Sequence, residues 1–160
     1  MTASTKSARR PSPADGTDLL QLDRQVCFAL AVASRNVIAL YRPLLEPMGL
    51  THPQYLVMLA LWEDSPLRVS ELASRLSLEP ATLSPLLKRL EAGGMVTRGR
   101  DPLDDRALAV SLTRKGAAAR KRAERIPPAI IDRLGMDLAE LEAMRDGLTR
   151  LIEAAAPPSG

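Results

Sequence analysis

Residues 69–112 read VSELASRLSLEPATLSPLLKRLEAGGMVTRGRDPLDDRALAVSL, and the rest of the chain is organised around them. Val69 to Leu76 is a short amphipathic run that buries Leu72 and Leu76, with Arg68 an indifferent residue for its cap. Ser77-Leu78 form a turn, and Glu79-Pro80 open a second helix, with Pro80 pre-set for a first turn. Leu83, Leu86, Leu87 and Leu90 face inward. Thr82, Ser84, Lys88 and Arg89 occupy the opposite face, with short hydroxyls near the N-terminus and cations farther along. Pro85 removes one backbone bond opposite Ala81, so a local bend is expected there. Gly93-Gly94 supply a positive-φ exit. Met95–Arg98 and Ala107–Leu112 then read as strands joined by the charged residues 99–106, with Arg106 near the tip. Helix, turn, helix and hairpin in that order can put one helix in a DNA major groove and a basic loop beside it.

Upstream, Leu22, Val26, Leu30, Ala33, Val37, Leu40 and Leu44 recur at steps of three and four, predicting an amphipathic helix of about six turns. Pro43, Pro47 and Gly49 are expected to break it. Thr51 looks like an N-cap, followed by Pro53 and a helix to Glu63 that buries Tyr55, Leu56, Met58, Leu59 and Trp62. Asp64-Ser65-Pro66 ends it. Downstream, Thr113 can cap a helix through Ala123, and Pro127-Pro128 interrupt or kink the next segment. Asp137 and Glu140 have capping-box spacing before a last helix with Leu138, Leu141, Met144, Leu148, Leu151 and Ile152. Both terminal helices carry apolar stripes that want a partner, which suggests a dimer-building layer.

The expected fold is mainly α with a small β-hairpin wing: a winged helix-turn-helix whose N- and C-terminal helices form a dimerisation layer. The divisions are a disordered tail at 1–17, an N-terminal dimerisation helix at 18–50, a DNA-binding domain at 51–113, C-terminal dimerisation helices at 114–156 and a disordered tail at 157–160.

Composition narrows the function. A hydrophobic content of 46% builds a core, but Phe28, Tyr41, Tyr55 and Trp62 are its only aromatics, so Ala and Leu must fill it. The net charge of +3 is unevenly spread. Residues 68–125 hold 13 Lys and Arg against 7 Asp and Glu, a balance of +6, while the remainder carries −3. Positive charge gathers on the winged segment, as a polyanion-binding surface requires, although a solvated Arg-rich helix has the same composition. No apolar run is expected to approach the roughly 20 residues of a membrane span, and residues 1–17 lack a signal peptide's apolar stretch, so a cytoplasmic protein is expected. The single cysteine excludes an intrachain disulfide framework. Cys27 and His52 are too few for a structural zinc site, and neither a Gly-rich phosphate loop nor paired catalytic carboxylates are present. No cofactor, metal or enzyme activity is expected.

Across residues 22–152 the chain resembles the MarR family of winged-helix repressors, in particular the OhrR-type branch that senses organic hydroperoxides. The residues that carry this are LDRQVCF at 22–28, YRPLLE at 41–46, PQYL at 53–56, TLSPLLKRLE at 82–91, and Asp104-Asp105-Arg106 before Ser111-Leu112-Thr113. The wing pattern is common to the whole family; the cysteine with PQYL and TLSPLLKRLE is more specific. The resemblance implies a homodimer on a pseudo-palindromic double-stranded operator, with half-sites about 10 base pairs apart. Thr82, Ser84, Lys88 and Arg89 then belong to the recognition helix, and Arg106 enters a minor groove. Hydroxyls at a helix N-terminus suit phosphates or base edges, and a guanidinium is attracted by a narrow groove's potential.

A lone helical cysteine is ordinarily a small buried hydrophobe. The resemblance instead implies that Cys27 is a thiolate oxidised by organic hydroperoxides to a sulfenic acid, which abolishes operator binding. Such chemistry needs a lowered pKa and access for the oxidant. In the family, tyrosines of the opposite subunit donate hydroxyls to this sulfur, and Tyr41 matches one of them. Fourteen helical residues separate Cys27 from Tyr41 by about 21 Å, so they cannot touch within one straight helix. Two positions depart from the pattern: His52 stands where a second tyrosine is expected, and Ala31 where a third aromatic is. His52 could donate an N–H or, if protonated, form an ion pair with the thiolate; its bland alternative is a helix-start histidine making a backbone contact. Without a second cysteine, the sulfenic acid would wait for a low-molecular-weight thiol or oxidise further. Two other functions compete: a MarR-type repressor released by a non-covalent phenolic ligand, and a thiol peroxidase. The second lacks a resolving cysteine and a Thr/Arg pair to bind peroxide.

Overall fold

The computed structural model describes residues 20–157. The expected tails, 1–17 and all but the first residue of 157–160, lie outside them. Two compact units make up the chain, Met1–Val37 and Ile38–Gly160. A 3-10 turn over Leu22–Arg24 precedes α1 (Val26–Leu45). The helix begins four residues later than the apolar period suggests, because Gln25 adopts an extended backbone. Pro43 lies inside α1, near its end, and does not break it. A second 3-10 turn, Glu46–Met48, and Gly49 at φ +68° provide the exit.

The helical stretch Val26–Met48, 23 residues of mean hydropathy 1.2, is long and apolar enough to cross a membrane by length and composition. That corrects the expectation that no run approaches such a length. Arg35 and Arg42 interrupt the apolar run when it is read residue by residue, and the helix continues past both.

The second unit continues with α2 (His52–Glu63), β1 (Leu67–Arg68), α3 (Val69–Arg75), α4 (Pro80–Ala92), β2 (Val96–Asp101), β3 (Asp104–Leu112), α5 (Arg114–Ala123), α6 (Ile126–Leu134) and α7 (Leu138–Ala155). This is the expected winged helix-turn-helix. Its core holds Val57, Met58 and Leu61 of α2, Leu72 of α3, Leu83, Leu87 and Leu90 of α4, and Val96 and Val110 of the wing. Burying each such side chain contributes about 1.5–3 kcal/mol. Leu45 and Leu50 join the same core, with Leu40, Tyr41 and Leu44 packed against it.

Thr51 caps α2 as expected, with Gln54 closing a reciprocal capping box: Thr51 N–H donates to Gln54 Oε1 at 2.9 Å and Gln54 N–H to Thr51 Oγ1 at 3.4 Å. The predicted buried face needs correction. Leu56 and Leu59 are each 40% exposed, while Val57 and Leu61 point inward. No sequence pattern marks the short strand β1. It pairs antiparallel with β3, Leu67 opposite Val110, giving the sheet order β1-β3-β2. The wing strands are longer than predicted, and only Pro102-Leu103 separate them. Residues 99–106 are therefore mostly strand, because backbone pairing tolerates charged side chains on a solvated hairpin.

Recognition-helix candidate α4 runs unbroken through Pro85, and Leu86 is only partly buried. Of the two glycines that follow, Gly94 alone has a positive φ, +71°. Gly116 of α5 lies so close to the wing that an added Cβ would be 2.0 Å from the Met95 carbonyl oxygen. Its own carbonyl accepts the Trp62 indole N–H at 2.8 Å, tying α5 to α2. Pro127 and Pro128 start α6 instead of interrupting a helix, since a first turn needs no N–H from them. Asp137 and Glu140 form the expected capping box on α7, which buries no residue; Leu138, Met144, Leu148, Leu151 and Ile152 are all exposed.

Candidate functional site

Thr82, Ser84, Lys88 and Arg89 all lie on the exposed side of α4, opposite Leu83, Leu87 and Leu90. Among the described residues, none of these four side chains takes part in a hydrogen bond or ion pair, so their polar atoms are available to a ligand. Arg106 is exposed in β3, its backbone N–H donating to Asp104 Oδ1 at 3.0 Å. The structure thus puts helix and wing candidates on one winged unit whose local charge balance is +6 over residues 68–125.

Two ion pairs fasten the wing, and neither is readable from the sequence. At its base, Arg98 donates to Glu91 Oε2 through Nε at 3.0 Å and Nη2 at 2.8 Å, and its backbone N–H reaches Glu91 Oε1 at 3.3 Å. These bonds from Arg98 hold the Glu91 carboxyl below its ordinary range. Farther out, Arg68 Nε donates to Asp101 Oδ2, and Leu103 N–H donates to Asp101 Oδ1 at 2.8 Å. The Leu103 amide, then Arg68, hold the Asp101 carboxyl down. In the sequence both carboxylates look like ordinary surface charges of a basic segment.

The sensor candidates divide between the two units. Cys27 is exposed and is the second residue of α1, in the first unit. Tyr41 and His52 belong to the second unit, where their rings meet edge to face with centroids 4.8 Å apart. Tyr55, at 5.8 Å from Tyr41 and 6.4 Å from His52, and then Trp62, at 6.3 Å from Tyr55, extend the aromatic row. Burial raises the Tyr41 pKa, so its phenol remains a hydrogen-bond donor at neutral pH. Burial lowers the His52 pKa from 6.5. Neutral His52 can donate one N–H, but the protonated, ion-pairing form is disfavoured at neutral pH. Beside it, a cleft of about 260 Å³ is lined by Ile38, Arg42, Leu45, Leu50, His52 and Pro53.

A second cleft, about 280 Å³, opens between α2 and the α5–α6 segment, with Tyr55, Leu59, Trp62, Ala123 and Pro127 as walls. The Arg120–Glu124 ion pair lies at it. Its apolar, aromatic lining suits a flat organic molecule. Among the described residues no group of three or more His, Cys, Asp or Glu is placed to hold a metal ion.

Comparison with known proteins adds four findings. The MarR family profile matches residues 50–108. The organic hydroperoxide resistance transcriptional regulator of Bacillus subtilis is 38% identical over 136 residues, 85% of this chain and 92% of the relative. Among solved structures, reduced AbfR bound to DNA superposes with a TM-score of 0.68 at 33% identity, covering 83% of this chain and 93% of that one; AbfR is from Staphylococcus epidermidis. CouR of Rhodococcus jostii RHA1, bound to p-coumaroyl-CoA, does so with a TM-score of 0.72 at 25% identity, covering 88% and 99%.

Proposed function

Because this chain belongs to the MarR family of transcriptional regulators, we propose that it is a homodimeric, DNA-binding repressor that leaves its operator when an organic hydroperoxide oxidises Cys27. The observation that carries the reading is the exposed Cys27 in a chain whose Tyr41 and His52 meet at 4.8 Å. The identity to the B. subtilis hydroperoxide regulator supports it. Segment 18–50 carries the sensor and part of the dimer interface, 51–113 binds DNA, and 114–156 completes the interface. A second copy covers the exposed apolar residues of α7 and, in the first unit, Val26 and Phe28 of α1. Thr82, Ser84, Lys88 and Arg89 meet bases and phosphates in a major groove, and Arg106 the adjoining minor groove. The protein works on double-stranded DNA in the cytoplasm.

The chemistry balances without a cofactor. The Cys27 thiolate attacks the terminal oxygen of the hydroperoxide, the O–O bond breaks, and the alkoxide takes a proton and leaves as an alcohol, so Cys27 becomes a sulfenic acid. Tyr41 and neutral His52 of the opposite subunit donate hydrogen bonds to the sulfur. A low-molecular-weight thiol then displaces water to give a mixed disulfide. AbfR has been solved bound to DNA in an overoxidised state, which favours a bulky thiol adduct, rather than added oxygen alone, as the form that releases DNA here.

A gel shift with the DNA upstream of the protein's own gene tests the reading. Binding should be tight under reducing conditions and lost on adding an organic hydroperoxide and a small thiol, with a matching mass increase on Cys27. A second reading is favoured by the cleft beside Trp62 and by the ligand-bound CouR structure: release by a non-covalent phenolic ligand. In that case DNA is released with no mass change on Cys27.

A further inference from the structure

Among the described residues Asp101 is the one charged side chain that is buried, at 7% exposure, although it lies in a hairpin that is otherwise mostly solvated. Both its oxygens are engaged. Oδ1 accepts the Leu103 N–H at 2.8 Å, fixing the Pro102-Leu103 turn, and Oδ2 accepts Arg68 Nε. Arg68 is itself anchored: its backbone N–H donates to Glu71 Oε2 at 2.9 Å at the start of α3, and it pairs with Ala109 in the sheet register. The guanidinium therefore links the start of the helix-turn-helix to the far end of β2, across the intervening strand β3.

Apolar packing cannot do this job in the outer half of the wing. The base is seated by Met95, Val96 and Val110, all buried. Farther out Leu108 is 58% exposed and Leu103 91%. Beneath the wing, a cleft of about 520 Å³ separates its outer part from α3 and is lined by Arg68, Glu71, Arg75, Asp101, Pro102 and Leu103. From Val96 to Asp101 the strand extends about 16 Å, so a swing of about 10° would move the tip by about 3 Å, enough to undo a hydrogen bond to DNA.

We infer that Asp101, clamped by Arg68, is a positioning residue that sets the wing at the angle from which Arg106 reaches DNA. The inference rests on the reading above that Arg106 contacts the operator. Neither Asp101 nor Arg68 needs to touch DNA. Their contribution passes through Arg106, and that coupling separates positioning from a general loss of fold.

The test is a double-mutant cycle read by fluorescence anisotropy on a labelled duplex carrying the DNA upstream of the protein's own gene. Arg106→Ala should weaken binding roughly ten-fold or more, as loss of a groove contact does. Asp101→Asn, which keeps the shape but removes the charge facing Arg68, should weaken binding by about five-fold or more, within the coupling range of residues in one network. On top of Arg106→Ala it should add less than about two-fold, because its effect is already lost. Wild-type binding by Asp101→Asn, or a full independent loss in the double variant, overturns the inference. Wild-type binding by Arg106→Ala overturns the wing reading itself, a distinguishable result that also removes the inference. Thermal unfolding and gel filtration monitor the fold. Should Asp101→Asn not fold, Arg68→Gln leaves the Leu103 bond in place and runs the same cycle with the same two outcomes.

Discussion

Replacing Gly116 by alanine should destabilise this protein, although the same change in an open helix would stabilise it. Alanine is the better helix former by about 0.8–1 kcal/mol. At Gly116 the new Cβ would lie 2.0 Å from the Met95 carbonyl oxygen, 3.0 Å from its carbon and 3.3 Å from Leu112 Cδ2. Met95 cannot yield easily, because its carbonyl also accepts the Thr113 N–H at 3.1 Å and the Thr113 hydroxyl at 3.1 Å. The helix must therefore move by about 1 Å or more to restore van der Waals contact. That shift strains the 3.0 Å cap from Gly116 N–H to Thr113 Oγ1 and the 2.8 Å bond from Trp62. A lost cap costs about 1 kcal/mol, an indole left unpaired about 1–3 kcal/mol, and overpacking about 1–3 kcal/mol. These overlap, because relieving one aggravates another, so a net loss of about 2–4 kcal/mol is expected. For a chain of this size that lowers Tm by about 5–15 °C, measured at one fixed protein concentration because dimerisation links stability to concentration. An unchanged or raised Tm would refute the packing described for α5 against the wing.

The same contacts set other expectations. His52 is the only histidine, so one NMR signal reports it, and its titration midpoint should fall below 6.5 because burial disfavours the imidazolium. A folded pKa below the unfolded one means that stability is full above about pH 6.5 and is lost as pH falls through the folded value; a midpoint above 6.5 would contradict the neutral donor. Asp101 and Glu91 are held below their ordinary values of 3.8 and 4.5. Their contribution is therefore present above about pH 4.5 and lost only in more acidic solution. Leu148→Glu with Leu151→Glu would put charge on the exposed face of α7, and should convert the dimer to monomer in analytical ultracentrifugation; an unchanged dimer would place the interface elsewhere.

Local chemistry with a short reach is legible in the sequence. Thr51 as the cap of α2 and Asp137 with Glu140 as a reciprocal cap both form where expected, and Gln54 additionally closes the box on Thr51. The four-leucine face of α4 is readable because its opposite side is polar. The face of α2 is not: the helix is apolar nearly all round, so nothing in HPQYLVMLALWE marks Val57 and Leu61 as inward and Leu56 and Leu59 as outward. Strand β1 is two residues long and exists only because β3 offers an edge. The charged stretch after Met95 resembles a loop because side-chain patterning is silent about backbone pairing on a solvated hairpin.

The site divides similarly. Residue types mark Cys27, Tyr41, His52 and the exposed side of α4 as candidates, each carried by a local motif or by family resemblance. The contacts between distant segments are not legible. The edge-to-face meeting of Tyr41 with His52 depends on how α1 turns into α2. Asp101 and Arg68 are 33 residues apart and become partners only once β3 lies between their strands. Asp101 stands in the sequence among Arg100, Asp104, Asp105 and Arg106, and nothing local marks it as the buried one.

The proposed switch is a single sulfur atom. Operator binding by the wild type and by Cys27→Ser should be followed side by side while an organic hydroperoxide is titrated in the presence of a small thiol, with intact mass read at each step. The wild type should lose binding in proportion to the fraction of chains carrying a thiol adduct on Cys27. The serine variant should bind as well as the reduced wild type and be unaffected by the oxidant. Release of Cys27→Ser by the same hydroperoxide, or wild-type release with an unmodified Cys27, would contradict the switch.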